Sequence, residues 1–519
     1  MKYAVKPVVL ILCVSLGGVR ANAQQKTFLE GMVIDVTTKA PIPFATIKLK
    51  KYAMGVVSNV GGDFQIPLRY KALDDSIAIS CIGYRTTSFS LKSLDENGVN
   101  VLELRSHATL LAGIIVRAPG RSRTNRLSPE RVLALAIKNI ELNYPQDPFA
   151  YIGYYRDYQL RDTSYLNLNE AIVEVYDKGF ESNDQRETQI ELLEYRTNTT
   201  FPRDTIAAAP YDNKPNQVGH GRNKYLPNAY LSSRGGNELS ILRLHDAVRN
   251  NGIFSYSFVN TFSKDFVANH ALKMQPMLSL DTVSLYCISF ESRYSATGPR
   301  NFSKGKIYIE KKNFSIHKIE YATYNKTTRE TQMMYEIVLE YARKDQRMYL
   351  NYISFNNAFR LNNDTNFKVI EIQFNKPLGA FVLDFNNVPD KVSVTDTSNY
   401  YFFLQEKPIR IVRTQMTGER RILLFPEPEV AKLLTRNGDL MASAFRFNVL
   451  NIRDVDNRPL DIHDNGFLFQ FRELFVQQMF PGQRLPVSAA VVQKDRPLSA
   501  SPAQPKPGTE FWMNTPLKK

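Results

Sequence analysis

The chain has 519 residues, of which 43% are hydrophobic and 23% are charged, and its net charge is +15. This length exceeds one ordinary core and predicts three or four domains. Three cysteines are too few for a disulfide scaffold. The positive charges are dispersed, which argues against nucleic-acid binding and favours a solvated basic surface, with attraction to an anionic envelope surface as the alternative.

The first segment has the pattern of a secretory signal peptide. Lys2 and Lys6 precede an apolar stretch at 7–19, and small residues at positions 21 and 23 predict cleavage after Ala23. The apolar stretch is too short to cross a bilayer, and no later run reaches the roughly 18 residues of a membrane helix. Residues 1–23 are therefore predicted to be a signal peptide.

Short alternating strands separated by turn residues follow over 29–68, which predicts a β-sandwich. The stretch 74–91 continues this alternation until Gly83 breaks it. We interpret Gly83, Tyr84 and Arg85 as the end of a strand rather than a functional site. The Tyr84 ring is expected on the sandwich edge, with its hydroxyl in water.

One pattern runs through Gly31, Val33, Asp35, Pro41-Ile42-Pro43, Ala45, Ile47, Gly62-Asp63-Phe64 and Cys81-Ile82-Gly83-Tyr84. It resembles the carboxypeptidase regulatory-like domain over about residues 26–118. The resemblance implies a transthyretin-like β-sandwich of a kind common at the N-termini of Gram-negative envelope proteins. It implies no peptidase activity.

A central α+β domain is predicted over residues 128–360. A basic linker at 120–128 leads into a helix that Ser128 can cap and Pro145 ends. Strand patterns begin again at 149, and five later strands predict an antiparallel meander. The meander strands are predicted at 282–292, 305–312, 314–324, 331–344 and 347–359. Their pattern resembles the curved half-barrel sheet of lipoprotein-carrier-type periplasmic proteins.

A third β-unit over residues 366–462 resembles bacterial surface-layer-type Ig-like domains. It carries Phe374-Asn375-Lys376-Pro377, Leu423-Leu424-Phe425-Pro426 and Ile452-Arg453-Asp454 before Asn457. Residues 463–519 are predicted to hold a docking segment and a disordered Pro-rich tail. The aromatic-rich stretch 466–480 is expected to dock on the preceding core, and the tail is placed at 497–519. The fold class is thus mainly β.

One spacing suggests metal chemistry. His317 and Glu320, with the distant His463, resemble the zinc signature of metallocarboxypeptidases. The segment around His317 alternates as a strand, however, and side chains three apart on a strand point to opposite faces. We therefore expect His317 on the sheet surface and no zinc site.

Other polar groups also have a plain structural interpretation. Cys81 and Cys287 each lie in an apolar strand pattern and are interpreted as small buried hydrophobic residues rather than a bridge between two domains. No G-x-S-x-G elbow or phosphate loop accompanies the polar pairs, which are interpreted as turn and loop residues. These pairs are His245-Asp246, Asp461 with His463-Asp464, and Asp74-Asp75.

The sequence predicts a non-enzymatic, exported, multidomain envelope protein that acts as an interaction or scaffold module. We expect it in the periplasm or at the outer-membrane surface, with peripheral membrane association, no cofactor and no metal. The expected partner is an envelope protein or a glycan. One alternative is a lipid or lipoprotein carrier, whose sheet would cradle an acyl chain through Tyr335, Ile337, Leu339 and Tyr341. Another is an accessory protein of glycan uptake.

Overall fold

The computed structural model describes most of the chain after the predicted signal peptide. The described residues are 27–52, 54–106, 127–161, 164–208, 224–225, 237–255, 258–326, 331–361, 367–404, 407–437, 445–460, 467–486 and 490–506. The predicted signal peptide at 1–23 and most of the linker at 120–128 lie outside these ranges. Within them, no helix combines the length and apolar character needed to cross a bilayer. The fold is mainly β, which confirms the predicted class.

The N-terminal sandwich, residues 27–106, has two sheets with strand orders β4-β1-β7 and β3-β2-β5-β6. Its strands are β1 (Phe28–Asp35), β2 (Thr46–Leu49), β3 (Gly55–Val57), β4 (Asp63–Pro67), β5 (Ser76–Ser80), β6 (Thr87–Ser90) and β7 (Val99–Leu104). The tight turn before β4 depends on Gly62, whose φ of +77° is one that glycine adopts readily. A Cβ there would also lie 2.5 Å from the carbonyl oxygen of Val33.

The central sheet has twelve strands in the order β10-β9-β8-β28-β20-β19-β18-β17-β16-β14, with β11 beside β20 and β15 beside β16. Its first strands are β8 (Phe149–Arg161), β9 (Ser164–Asp177), β10 (Gln189–Thr197), β11 (Lys224–Tyr225), β14 (His270–Met274) and β15 (Leu278–Leu280). The others are β16 (Val283–Ser292), β17 (Asn301–Glu310), β18 (Ile316–Lys326), β19 (Thr331–Lys344), β20 (Arg347–Leu361) and β28 (Phe467–Pro481). A separate short hairpin joins β12 (Phe254–Ser255) and β13 (Asn260–Thr261). Strands β16 to β20 form the predicted antiparallel meander.

The structure places the aromatic-rich segment inside the central sheet instead of against the preceding core. Strand β28 lies between β8 and β20, where Leu474 is opposite Tyr155 and Phe475 is opposite Tyr352. Leu474 packs into the core on one face of the sheet and Phe475 into the core on the other. A strand buried on both faces directs apolar side chains to both cores, so its sequence lacks the simple alternation of a half-buried strand.

The helices are short. They are α1 (Pro129–Lys138), α2 (Ile140–Asn143), α3 (Asp184–Glu187), α4 (Thr205–Ala208), α5 (Glu238–Leu244), α6 (Phe262–Asn269), α7 (Tyr294–Thr297), α8 (Lys391–Thr395) and α9 (Pro428–Asn437). Ser128 caps α1 as predicted, since its hydroxyl oxygen accepts a 3.2 Å hydrogen bond from the backbone N–H of Arg131. The helix predicted over 128–145 is divided at Asn139 into α1 and α2.

The two faces of the central sheet pack against different parts of the chain. We call the face that carries Ile337 and Leu339 the inner face and the face that carries Val338 and Tyr352 the outer face. On the inner face, sheet residues share one core with α1, α5 and α6. On the outer face, they share one core with the N-terminal sandwich.

The inserted unit, residues 367–460, lies in the chain between the adjacent strands β20 and β28. Its strands are β21 (Val369–Asn375), β22 (Ala380–Phe385), β23 (Tyr400–Leu404), β24 (Lys407–Ile409), β25 (Ile411–Met416), β26 (Arg421–Pro426) and β27 (Phe445–Val449). They form two sheets, β21-β22-β26-β25 and β24-β23-β27, around a core of the unit's own residues. The chain leaves and re-enters the central sheet at a single paired position, Arg360 opposite Phe467.

The C-terminal segment, residues 490–506, is fixed along the edge strand β10. The backbone N–H of Val492 donates to the Ile190 carbonyl at 2.7 Å, and that of Gln504 donates to the Leu192 carbonyl at 2.8 Å. The amine of Lys506 lies 2.7 Å from the carboxylates of both Glu174 and Glu191. Residues 497–506 therefore have a defined place, contrary to the predicted disordered tail, and they cover an edge that would otherwise be open to another strand.

Candidate functional site

The inner face of the central sheet is a filled core. Ile337 and Leu339 are fully buried, Tyr341 is 3% exposed, and Tyr335 packs against the same core. These are the residues that the carrier hypothesis assigned to an acyl chain. Here they contact the protein's own side chains.

A helical segment, of which residues 237–255 and 258–269 are described, supplies much of that filling. The side-chain oxygen of Asn237 caps α5 by accepting from the Ser240 N–H at 2.8 Å. Phe258, Phe262 and Phe266 are each at most 2% exposed. The ring of Phe258 meets that of Tyr321 with 4.9 Å between centroids, so aromatic packing fixes the segment on the meander.

Beside this segment lies a cluster of buried charges, which we call the inner polar cluster. It contains two buried ion pairs, Arg249 with Asp177 at 2.9 Å and Arg243 with Asp184. Both arginines come from the helical segment, and both aspartates come from the chain around β9 and α3. The ion pairs therefore tie the segment to the end of the sheet that is opposite the meander.

Asp246 is the third carboxylate of the inner polar cluster. It accepts from the Tyr341 hydroxyl at 2.6 and 2.8 Å and from the backbone N–H of Arg249 at 2.9 Å. Burial raises the pKa of Asp246 to about 6. Burial would also raise the pKa of Asp184, but the charges of Arg243 and Arg249 outweigh it and hold that pKa below its usual value.

His245 and Asp246 follow the end of α5, as the turn prediction required, but they are buried at 7% and 6% exposure. The His245 ring stacks on Phe355 with 3.6 Å between centroids. Burial, with the nearby charge of Arg472, lowers the pKa of His245 to about 3. This histidine is therefore neutral at physiological pH, and its ring packs against Phe355.

The space inside the inner polar cluster is small. The cavity lined by Asp246, Arg243, Arg249 and their neighbours has a volume of about 20 Å³. That volume accommodates one water molecule, whereas sites for small-molecule ligands have about 300–1,000 Å³. The cluster thus acts as an internal clamp between the helical segment and the sheet.

His317 and Glu320 do not form a shared site. The Nε2 atom of His317 lies 3.3 Å from a carboxylate oxygen of Glu310, and Glu320 pairs with Lys318 at 3.1 Å. His317 is 4% exposed, so the expected position on the sheet surface is wrong. A bulge in the pairing of β17 and β18 lies beside it and interrupts the regular alternation that the prediction assumed.

His463, Asp461 and Asp464 lie outside the described residues. Among the residues that are described, no three His, Cys, Asp or Glu side chains are grouped so that they could hold a metal ion.

The remaining predicted polar groups have structural roles. Asp74 is exposed and pairs with Lys92 at 3.1 Å, and Asp75 accepts from the Lys51 N–H at 3.0 Å. Both thiols are free; Cys287 is buried and Cys81 is half-buried. Burial raises the pKa of each thiol to about 11, which keeps both protonated and unreactive at neutral pH.

The stretch around Gly83 is a joint between domains, a role that the sequence did not suggest. The Gly83 N–H donates to the Ser279 carbonyl of the central domain at 2.8 Å. Both the N–H and the hydroxyl of Thr86 donate to the Asp281 carboxylate, at 3.0 and 2.8 Å. Tyr84 bonds to Asp35 rather than to water alone, and burial with the charge of Asp35 raises its pKa to about 12.

Further polar contacts join the N-terminal sandwich to the outer face. The Thr46 hydroxyl donates to the Glu340 carboxylate at 2.9 Å, and the Asn351 side-chain amide donates to the same carboxylate at 2.9 Å. The amine of Lys318 lies 5.6 Å from the ring centroid of Phe44. Hydrogen bonds and apolar contacts together fix the sandwich on the sheet.

A second concavity, which we call the outer groove, is open to solvent. It has a volume of about 620 Å³ and crosses strands β14, β16, β17, β18 and β19 on the outer face. Small residues, Ala271, Ser289 and Ala322, lie among long charged side chains such as Lys304 and Lys306. No local pattern of the sequence predicted this groove, because its lining comes from five strands, although β17, β18 and β19 each show charged residues two or four positions apart.

Comparison with known proteins identifies one domain of the chain. Residues 29–116 match the family described as the CarboxypepD_reg-like domain, which confirms the resemblance predicted for this part of the chain. No curated protein matches the sequence.

Two solved structures are similar to parts of the chain. A LolA superfamily protein from Nitrosomonas europaea has 10% identity and a TM-score of 0.18, and the match covers 45% of this chain and 86% of that one. A DUF1329 family protein from Desulfovibrio piger ATCC 29098 has 10% identity and a TM-score of 0.21, with coverage of 44% and 87%. Similarity at these scores carries no argument about the function of this chain.

Proposed function

We propose that this protein, which carries a carboxypeptidase regulatory-like domain at residues 29–116, is a non-enzymatic interaction module of the Gram-negative cell envelope. It is exported to the periplasm or to the outer-membrane surface. One observation carries the proposal: helices cover the inner face of the central sheet, and the N-terminal sandwich covers part of the outer face. The result is a rigid body that presents surfaces to partners.

The outer face supports the proposal through its shared core with the N-terminal sandwich. Seven apolar residues of the central sheet contribute to that core: Ile152, Tyr154, Ile172, Leu193, Val338, Tyr352 and Phe475. Full burial of one large apolar side chain contributes roughly 1.5–3 kcal/mol. A domain held by so many contacts is oriented rather than tethered, as a scaffold requires.

The inner face favours this role over that of a carrier. A carrier must leave room for an acyl chain between its sheet and its helices. The corresponding space here is the cavity of about 20 Å³ beside Asp246, well below the roughly 300–1,000 Å³ of ligand sites. The accessory role in glycan uptake has one observation in its favour, the outer groove.

In-cell photo-crosslinking tests the proposal. A photoreactive amino acid is placed at Val101 of the N-terminal sandwich or at Val412 of the inserted unit, which are 53% and 49% exposed. We expect a discrete crosslinked product with an envelope component in the cells that make the protein. Samples without irradiation are the control, and the absence of any product at both positions would contradict the proposal.

Native mass spectrometry of protein purified from the same cells distinguishes the proposed interaction role from the carrier alternative. We expect the mass of the polypeptide without residues 1–23 and without a bound lipid. A co-purifying acyl lipid would favour the carrier instead. An uncleaved N-terminus would contradict the proposed export.

A further inference from the structure

The outer groove owes its shape to the register of five strands. One cross-strand row runs from Ala271 through Glu291, Lys304 and Ala322 to Glu336. At Ala322 the surface falls between the longer side chains of Lys304 and Glu336, and at the edge position Ala271 it falls beside Glu291. The depression therefore follows from residue size at paired positions, and the rigid sheet beneath maintains it.

The neighbouring row also combines a small residue with charged residues, but in a different order. It runs from Lys273 through Ser289 and Lys306 to Glu320. Opposite charges face each other across the strands at Glu291 and Lys304, and at Lys306 and Glu320. The groove therefore presents both signs of charge side by side along its length.

The lysine amines of this groove can donate further hydrogen bonds, for example to a ligand. No carboxylate of the described residues lies within 4.0 Å of the amine of Lys273, Lys304 or Lys306. The Lys304 amine lies 4.9 Å from the ring centroid of Tyr324, which stacks on Phe302 at 5.2 Å. An ammonium group offers three donors, and a carboxylate offers only acceptors.

We propose that the outer groove binds an uncharged oligosaccharide. Amines and carboxylates lie at neighbouring positions of the lining, and Glu320 is already paired with Lys318 at 3.1 Å, so a ligand with one sign of charge would meet repulsion as well as attraction. A sugar hydroxyl suits such a surface, because it donates to a carboxylate and accepts from an ammonium group at once. The groove volume of about 620 Å³ is within the range of ligand sites, roughly 300–1,000 Å³.

This inference rests on the proposed binding role and specifies one of its ligands. Full-length mature protein is titrated calorimetrically with maltohexaose, cellohexaose and laminarihexaose as uncharged probes. A heparin-derived hexasaccharide is the anionic comparison. We expect at least one uncharged probe to bind and the heparin fragment to bind more weakly.

Matched double variants locate the binding site. The variant Lys304→Ala with Lys306→Ala removes two groove amines, and we expect about tenfold weaker binding of the uncharged probe. The control Lys311→Ala with Lys312→Ala makes the same charge change in the exposed turn that follows β17, outside the groove lining, and should bind as the parent does. Ala271→Tyr, at an exposed position in the groove, should block binding without loss of charge.

Three results would overturn the inference. They are the absence of binding by all uncharged probes, binding of the heparin fragment alone, and equal affinity in the parent and the Lys304→Ala, Lys306→Ala variant. Thermal melting of each variant identifies any failure to fold, and Ala271→Tyr tests the groove independently of its lysines. Crosslinked products from cells would remain under each of these results, so failure here is distinguishable from failure of the wider interaction role.

Discussion

The N-terminal sandwich and the inserted unit are both small two-sheet β-structures, but they are joined to the central sheet in opposite ways. The sandwich shares a hydrophobic core with the outer face and adds hydrogen bonds through Thr46, Gly83 and Thr86. The inserted unit has a core of its own residues and joins the sheet at one strand-paired position. The two modules therefore differ in attachment. The sandwich shares a core with the central sheet, whereas the inserted unit folds around a core of its own.

The largest expected effect comes from removing the N-terminal sandwich. A chain that starts at residue 127 exposes the seven apolar residues of the outer face. At roughly 1.5–3 kcal/mol each, the loss is comparable to the whole stability of a domain, about 5–15 kcal/mol. We expect this variant to be insoluble or without a cooperative melting transition.

Replacing residues 362–466 by Asn-Gly is the matched deletion. It joins β20 to β28 through a short hairpin turn at strands that are already paired. We expect the remaining body to keep its melting temperature within a few degrees by calorimetry. Equal damage from both deletions would contradict the difference between the two modules.

A smaller effect is expected from single arginine substitutions, one in the central sheet and one in the inserted unit. Arg156 is 1% exposed on the central sheet and pairs with Glu473 at 2.6 Å, and Tyr352 also donates to that carboxylate. Arg156→Met would leave the Glu473 charge buried without its guanidinium partner, at a cost of about 3–5 kcal/mol. Urea unfolding measures this change.

The control is a surface pair of the inserted unit. Arg421 pairs with Asp384 at 2.7 Å, but the Arg421 side chain is 53% exposed. Arg421→Met should therefore cost less than about 1 kcal/mol. A loss at Arg421 as large as that at Arg156 would show that exposure does not decide the strength of these pairs.

The smallest expected effect is a difference in pH response. Burial, with the nearby charge of Arg472, lowers the pKa of His245 to about 3, whereas the unfolded chain takes up that proton near pH 6.5. The unfolded state therefore binds more protons between these values, so stability falls as the pH falls from 6.5 towards 3. The variant His245→Phe keeps a ring against Phe355 and should lose less stability between pH 6.5 and pH 4.

Asp246 acts in the opposite direction over part of this range. Its pKa is raised to about 6 by burial, so the folded state holds the extra proton between about pH 4 and 6, and stability falls as the pH rises there. Asp246→Asn should remove that part of the dependence. The inserted unit contains no histidine and so lacks a contribution of this kind. If the slope of stability against pH were unchanged in His245→Phe, the assignment to His245 would be refuted.

The regular parts of the fold could be predicted from the sequence, because local patterns encode them. Alternation along 282–359 predicted the meander, Ser128 predicted the start of α1, and the turn residues of the first module predicted a sandwich that a family match confirms. In each case neighbouring residues carry the information, since strand and helix periods are set over a few residues.

Only the tertiary structure decided how these parts are used. It placed β28 between β8 and β20, turned the Gly83 stretch into a joint, and buried His245 and His317. The outer groove likewise exists because Ala271, Glu291, Lys304 and Ala322 are brought side by side by strand register. Such contacts join residues far apart in the chain, and burial depends on what packs above a strand, so no local pattern contains them.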